Sequence, residues 1–186
     1  IILLDEVLIN GDSIQMRQRK EYLLLQNRVL KVYPFAKTAA ERLVIMDRHL
    51  SQLKTDKEKK RYIKLVEKYI EEEFEKPLKK LSRKQGQILV KLIYRQTNQT
   101  TFDLIRHYKN GWKAFWYDKT AKVFDIDLQR KYDPWTVNED YLIESILERA
   151  FERGRLSKQD PATPIDVKQL HELWYRKAIE QENEGL

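Results

Sequence analysis

Hydrophobic positions recur at helical spacing along most of this chain, and one stretch is apolar around nearly its whole girth. From Ser82 to Thr97, SRKQGQILVKLIYRQT, a pitch of about 100° per residue gathers Ile88, Leu92, Leu89, Ile93, Val90 and Tyr94 into an arc of about 240°, with Gly86 inside it. Lys84, Gln87, Lys91 and Arg95 share the remaining strip. A helix this apolar must be enclosed, so the pattern predicts a central post with other helices around it. Ser82 and Gln85 form a capping box that sets its start. Gly86 predicts close approach of another backbone.

The flanking pattern predicts the neighbours. Residues 17–33 carry Tyr22, Leu25, Val29, Val32 and Tyr33 on one face. Pro34 then predicts a kink or a restart, followed by a second stretch over 35–53. Thr55-x-x-Glu58 opens a helix to about Lys76, which Pro77 ends. Residues 102–117 place Leu104, Ile105, Tyr108, Trp112, Phe115 and Trp116 on one half of the wheel and Asp103, Arg106, His107, Asn110 and Lys113 on the other, unless Asn110-Gly111 breaks the helix. Residues 119–131 read as a frayed end and a loop. Tyr132-Asp133-Pro134-Trp135 is a turn. Thr136-x-x-Glu139 predicts a further capping box, for a helix that Gly154 terminates.

The two ends of the chain differ from this middle. Ile1–Asn10 is apolar and β-leaning, and Asn10-Gly11 is a turn signal, so Val7–Ile9 and Ser13–Met16 are expected as a small hairpin, either covered by the helices or open to a partner strand. Residues 155–163 read as a linker. Thr163-Pro164 begins a last helix whose Val167, Leu170, Trp174 and Ala178 form a narrow seam. The seam packs on its own domain or serves a homodimer through Val167, Leu170 and Trp174. The expected fold class is mainly α: a multi-helix bundle around the buried helix 82–97, with an N-terminal β element. The expected division is a helical domain over 1–154 and a linker plus C-terminal helix over 155–186.

Composition changes this picture in two ways. There is no cysteine among the 186 residues, which excludes disulfides, thiolate metal sites and cysteine nucleophiles. No apolar run reaches the roughly 18 residues of a membrane span. The chain begins at Ile1 rather than Met, which leaves room for an export signal upstream. The net charge of +7 is unevenly placed: residues 79–131 hold 13 Lys/Arg against 4 Asp/Glu, and the rest of the chain 23 against 25. A basic middle favours an anionic ligand or partner.

Candidate chemistry is sparse. His49, His107 and His171 form no zinc motif, and no nucleophile elbow or phosphate-binding glycine loop is present. The carboxylates Glu71, Glu72, Glu73 and Glu75 lack the turn chemistry of a calcium loop. No metal or cofactor is expected. Asp103 and His107, four apart, are spaced for a carboxylate to orient an imidazole. Asp133, Glu139, Asp140 and Glu144 cluster at a helix start, where the helix dipole accounts for them and a glycosidase-type pair is the alternative. Lys84, Lys91 and Arg95 with Arg106 and Lys113 are expected to form one outward cationic strip that binds an anion.

Four runs together, KVYPFAK at Lys31–Lys37, QGQILVKLI at Gln85–Ile93, FDLIRHYKNGWKAFWY at Phe102–Tyr117, and YDPW with Asn138-Glu139-Asp140, resemble a Bacteroidetes family of domains of unknown function. The resemblance covers roughly Leu3–Gly154. It implies periplasmic or cell-surface placement, because family members often begin with an export signal, and it carries no catalytic roles. The family's central helix tends to end Arg-Glu-Thr-Gly. Arg95-Gln96-Thr97-Asn98 departs from that and removes an acid/base role at position 96. The leading expectation is a non-enzymatic exported binding or scaffold protein. The alternatives are a hydrolase of envelope glycans or peptides and, third, a nucleic-acid-binding protein.

Overall fold

A computed structural model describes residues 13–78, 80–107 and 126–184. Among them are six helices and no strand: α1 Ser13–Gln52, α2 Asp56–Leu78, α3 Arg83–Thr97, α4 Thr101–His107, α5 Asn138–Glu152 and α6 Val167–Glu184. The fold class is therefore mainly α. Residues 1–12 lie outside the described residues, but Ser13–Met16, expected as the hairpin's second strand, form the first turn of α1.

The central post stands where its pattern puts it. Ile88, Leu89, Val90, Leu92 and Ile93 are buried, and each fully buried aliphatic side chain contributes about 1.5–3 kcal/mol. Helix α1 runs along α3 and also touches α5 and α2. Val29, Val32, Tyr33, Ala36, Leu43 and Met46 of α1 share one core with α3, Leu104, Leu128 and Ile143, Ile146 and Leu147 of α5. The capping box forms as spaced: the Gln85 amide donates to Ser82 Oγ (3.3 Å) and the Ser82 amide to Gln85 Oε1 (2.9 Å). Asn98, at φ 55°, closes α3 in the left-handed region that Asn tolerates.

Pro34 does not restart the helix. It lies inside a continuous 40-residue α1. Proline costs about 3 kcal/mol there, but it sits between Tyr33 and Ala36, both buried in the shared core, and that packing holds both halves in one helix. Gly86 admits a side chain rather than a backbone: a Cβ there would overlap Ile126 Cδ1. Gly86→Leu is therefore expected to lower stability by about 1–3 kcal/mol through overpacking. Ile126→Ala in the same chain should return part of that loss, read by urea denaturation.

Three helix ends are settled by different residues than the spacing suggests. Helix α2 opens on the Thr55/Glu58 box, with Glu58 Oε2 accepting from Thr55 N (3.1 Å) and Oγ1 (2.8 Å), but it runs through Pro77 to Leu78. The Thr136/Glu139 box does not form. Thr136 Oγ1 donates to Asp133 Oδ2 (2.5 Å), Glu139 turns to Lys91, and Val137 occupies the N-cap without a side-chain bond. Helix α6 starts at Val167, not at Pro164, because Asp166 Oδ1 accepts from the Gln169 amide (3.0 Å). The end of α5 is as expected: Gly154 (φ 65°) donates to Phe151 O (3.0 Å) and Arg155 N to Ala150 O (2.8 Å), a Schellman motif.

The seam of α6 is partly covered within the chain. Leu170 is fully buried, Trp174 Nε1 donates to Pro134 O (2.8 Å), and the Trp174 ring stacks on Tyr141 at 5.2 Å. Lys177 Nζ lies 4.3 Å over that ring and donates to Trp135 O (3.0 Å). Val167 and Trp174 are half-buried and Ala178 is exposed. No helix among the described residues is long and apolar enough to cross a membrane.

Candidate functional site

The polar strip of α3 does not face water along its length. Lys84 is exposed, but Lys91 and Arg95 are 6% and 3% exposed. Both lie against α5. Lys91 Nζ donates to Asp140 Oδ1 (2.6 Å) and Glu139 Oε1 (2.7 Å). Arg95 grips Glu144 with two bonds, Nε to Oε2 (2.8 Å) and Nη2 to Oε1 (2.7 Å). The pairs Lys91–Asp140 and Arg95–Glu144 share one sequence offset of 49, so α3 and α5 run in the same direction and are bridged once per turn. The outward seam of cations is thus corrected: a desolvated cation must be paired, and acids at matching spacing on α5 supply the partners.

The second layer of contacts completes the network. Tyr132 Oη, buried beside the pair, donates to Glu144 Oε2 at 2.7 Å. Burial and the Glu144 charge push its phenol well above the usual tyrosine range, so it stays a donor. Burial lowers the Arg95 guanidinium, but the Glu144 bond and charge outweigh it and the group is raised overall. Burial likewise raises Glu139, and the Lys91 bond and charge more than reverse that, leaving its carboxyl lowered. Asp140 Oδ2 accepts from the Asp133 amide (2.9 Å), while Asp133 accepts from the Trp135 amide (3.0 Å) and Thr136. Every named acid here is engaged, and a fully satisfied buried network rigidifies the packing around it.

Beyond α5, residues 157–162 are strapped to the same site. Arg95 Nη1 donates to Gln159 O (3.3 Å), Gln96 Nε2 to Gln159 Oε1 (2.5 Å), and the Ala162 amide to Arg95 O (2.9 Å). Tyr33 Oη of α1 donates to Ser157 O (3.3 Å) and accepts from the Gln159 amide (3.0 Å). The stretch expected as a linker is therefore pinned at four backbone groups. Gln96, where the resemblance raised the question of a carboxylate, holds this strap. Tyr33→Phe removes two of the pins and is expected to cost about 1–2 kcal/mol, with faster proteolysis within 155–165 as a second readout.

Of the sequence-named catalytic candidates, Glu139 and Asp140 meet at Lys91 Nζ, with the Asp133 amide on Asp140. Asp103 Oδ2 accepts from Thr100 Oγ1 (2.5 Å), and the Asp103 amide donates to Thr100 Oγ1 (3.0 Å), so Asp103 serves the cap of α4. The side chains of Arg106 and His107 and all of Lys113 lie outside the described residues, as do Trp112, Phe115 and Trp116. His49 packs on Tyr62, and His171 packs edge-on to Tyr141. Burial and Arg149 lower the His171 imidazole below its usual value. Among the described residues no group of three His, Asp or Glu side chains is placed to hold a metal.

On the outer side of Glu139 a groove of about 870 Å³ opens between the first turns of α1, the start of α3 and α5. Six cations line it: Arg19, Arg28, Lys84, Arg149, Arg153 and Arg155. Its acids are Glu21 and Glu139 alone among the described residues, and both are engaged, Glu21 by Arg17 (3.9 Å) and Glu139 by Lys91 (2.7 Å). Arg19, Arg28, Lys84 and Arg155 make no ion pair among the described residues. Of the sequence-named basic residues, Lys84 borders this groove. The arginines of α1 and α5 were missed because they are distant in sequence and only the packing of α1 on α3 and α5 assembles them.

No curated protein and no solved structure matches this chain. A family described as a domain of unknown function, DUF4294, matches residues 1–149 of the 186, and the chain belongs to that family.

Proposed function

We propose that this protein is a non-enzymatic binding or scaffold protein whose anionic partner docks in the groove between α1, α3 and α5. The observation that carries this reading is the charge imbalance: six cations line the groove against two acids, and four of those cations make no ion pair among the described residues. A concave wall of one sign concentrates field and raises the local concentration of an opposite charge. Arginine adds planar, two-pronged recognition of carboxylate or phosphate. A two-carboxylate hydrolase is not favoured, since Glu139 is the one candidate acid lining the groove and Lys91 holds it.

Placement in the periplasm or at the cell surface, and a Bacteroidetes origin, belong to the same reading and rest on the sequence resemblance. So does the division into a helical domain over 1–154 and an appendage over 155–186; the family match ends at residue 149. Arg19→Glu with Arg28→Glu tests the groove by salt elution from heparin. The double variant should elute at lower salt, and its affinity for a short anionic probe should fall about tenfold, which corresponds to about 1.4 kcal/mol. Unchanged elution with a native circular dichroism spectrum would remove the groove from the reading. Reversing Lys91 and Arg95 would test folding instead, because both are buried in ion pairs.

A further inference from the structure

We infer that the partner in this groove is an acidic, partly apolar peptide segment of another polypeptide. This rests on the groove being the anion site and names its occupant. The cations are set around an apolar surface, not a polar one. Leu25 and Ile88 are buried beneath it, Leu142 is half-buried, and Leu23 borders it at 46% exposure. A phosphate or sulfate group has no aliphatic side chain to lay on such a surface, whereas a peptide alternating acidic and aliphatic residues supplies both charge and aliphatic area.

The polar groups of the groove point the same way. Gln18, Gln26, Gln87 and Asn138 line it, and side-chain amides donate and accept, which matches the two-sided demand of a peptide backbone. A phosphate needs donors alone. Tyr22 is the lone aromatic side chain lining the groove among the described residues, and a single ring makes no platform for successive bases. The α1 wall from Gln18 to Arg28 is about 15 Å long, which takes roughly four or five extended residues.

Fluorescence anisotropy with the full chain tests this. The probes are a labelled eight-residue peptide of alternating Glu and Leu, the same peptide with Ser for every Leu, a single-stranded oligonucleotide, a heparin fragment, and vesicles of anionic phospholipid. The Glu/Leu peptide should bind at least tenfold more tightly than the Glu/Ser peptide, and Arg19→Glu with Arg28→Glu should weaken it about tenfold. Equal binding of the two peptides would overturn the inference, because the apolar surface would then play no part. Oligonucleotide, heparin or vesicle binding that exceeds the Glu/Leu peptide and responds to the double variant would keep the anion site and overturn the peptide. Failure of every anionic probe would remove the anion site as well.

Discussion

Arg95→Met is expected to lower unfolding free energy by about 3–5 kcal/mol, the cost of stranding a buried charge. Both partners of the Arg95–Glu144 pair are 1% exposed in their side chains. Among the described residues the variant leaves the Glu144 carboxylate with the Tyr132 hydroxyl as its one side-chain donor, in surroundings where an unpaired charge is strongly disfavoured. For a chain of this size each kcal/mol moves the melting temperature by roughly 2–4 °C, so a drop of roughly 6–20 °C should appear in a thermal scan. The loss also reaches the strap, because Arg95 Nη1 holds Gln159 O, and cleavage within 157–162 should accelerate. Arg95→Met combined with Glu144→Met removes both charges together. It should regain most of the stability, since apolar side chains of similar volume commonly replace a buried pair without loss. A double variant as unstable as the single one would mean that the network holds the fold by geometry rather than by charge compensation.

Trp174→Ala is expected to release α6, at a cost of about 2–3 kcal/mol. That is below the roughly 3–5 kcal/mol of a fully buried tryptophan, because this ring is half-buried. The indole combines three contacts in one side chain: its N–H on Pro134 O, its face on Tyr141, and Lys177 over the ring. The stack and the cation contribute on the order of 1 kcal/mol each. Released α6 should be cut early by protease, while the far-ultraviolet signal of the remaining helices stays. Size-exclusion chromatography with light scattering adds a second readout. If the seam serves its own domain, the wild-type mass is unaffected by the substitution. A dimer that dissociates on Trp174→Ala would show that the seam joins two chains.

Both predictions fall on residues whose type was legible before their role was. Lys91 and Arg95 are four apart on the polar strip of one helix, and Asp140 and Glu144 are four apart on another. Two cations and two acids at the same spacing are the sequence trace of a bridged helix pair. The dipole at the start of α5 is a sufficient local explanation of those acids, so the trace is not decisive without the packing. Trp174 was placed on the seam of the last helix by periodicity, and what the seam meets, the Tyr132–Trp135 turn and Tyr141, lies about 40 residues away.

What the sequence determines by itself is whatever closes within four or five residues. Ser82 with Gln85, Thr55 with Glu58 and Gly154 after α5 mark helix ends through bonds that need no distant partner, and the apolar arc of α3 requires enclosure whatever encloses it. The tertiary structure decided the rest: Pro34 stays inside α1, Thr136 gives up its cap to Asp133 and Lys91, the strip of cations turns inward, and the arginines of α1 and α5 meet around one groove. For Pro34 and for the inward cations Lys91 and Arg95 the physical reason is the same. Burying a charge or spanning a proline is unfavourable alone and becomes favourable only when a neighbour supplies the counter-charge or the packing, and those neighbours lie as far as 49 to 64 residues away along the chain.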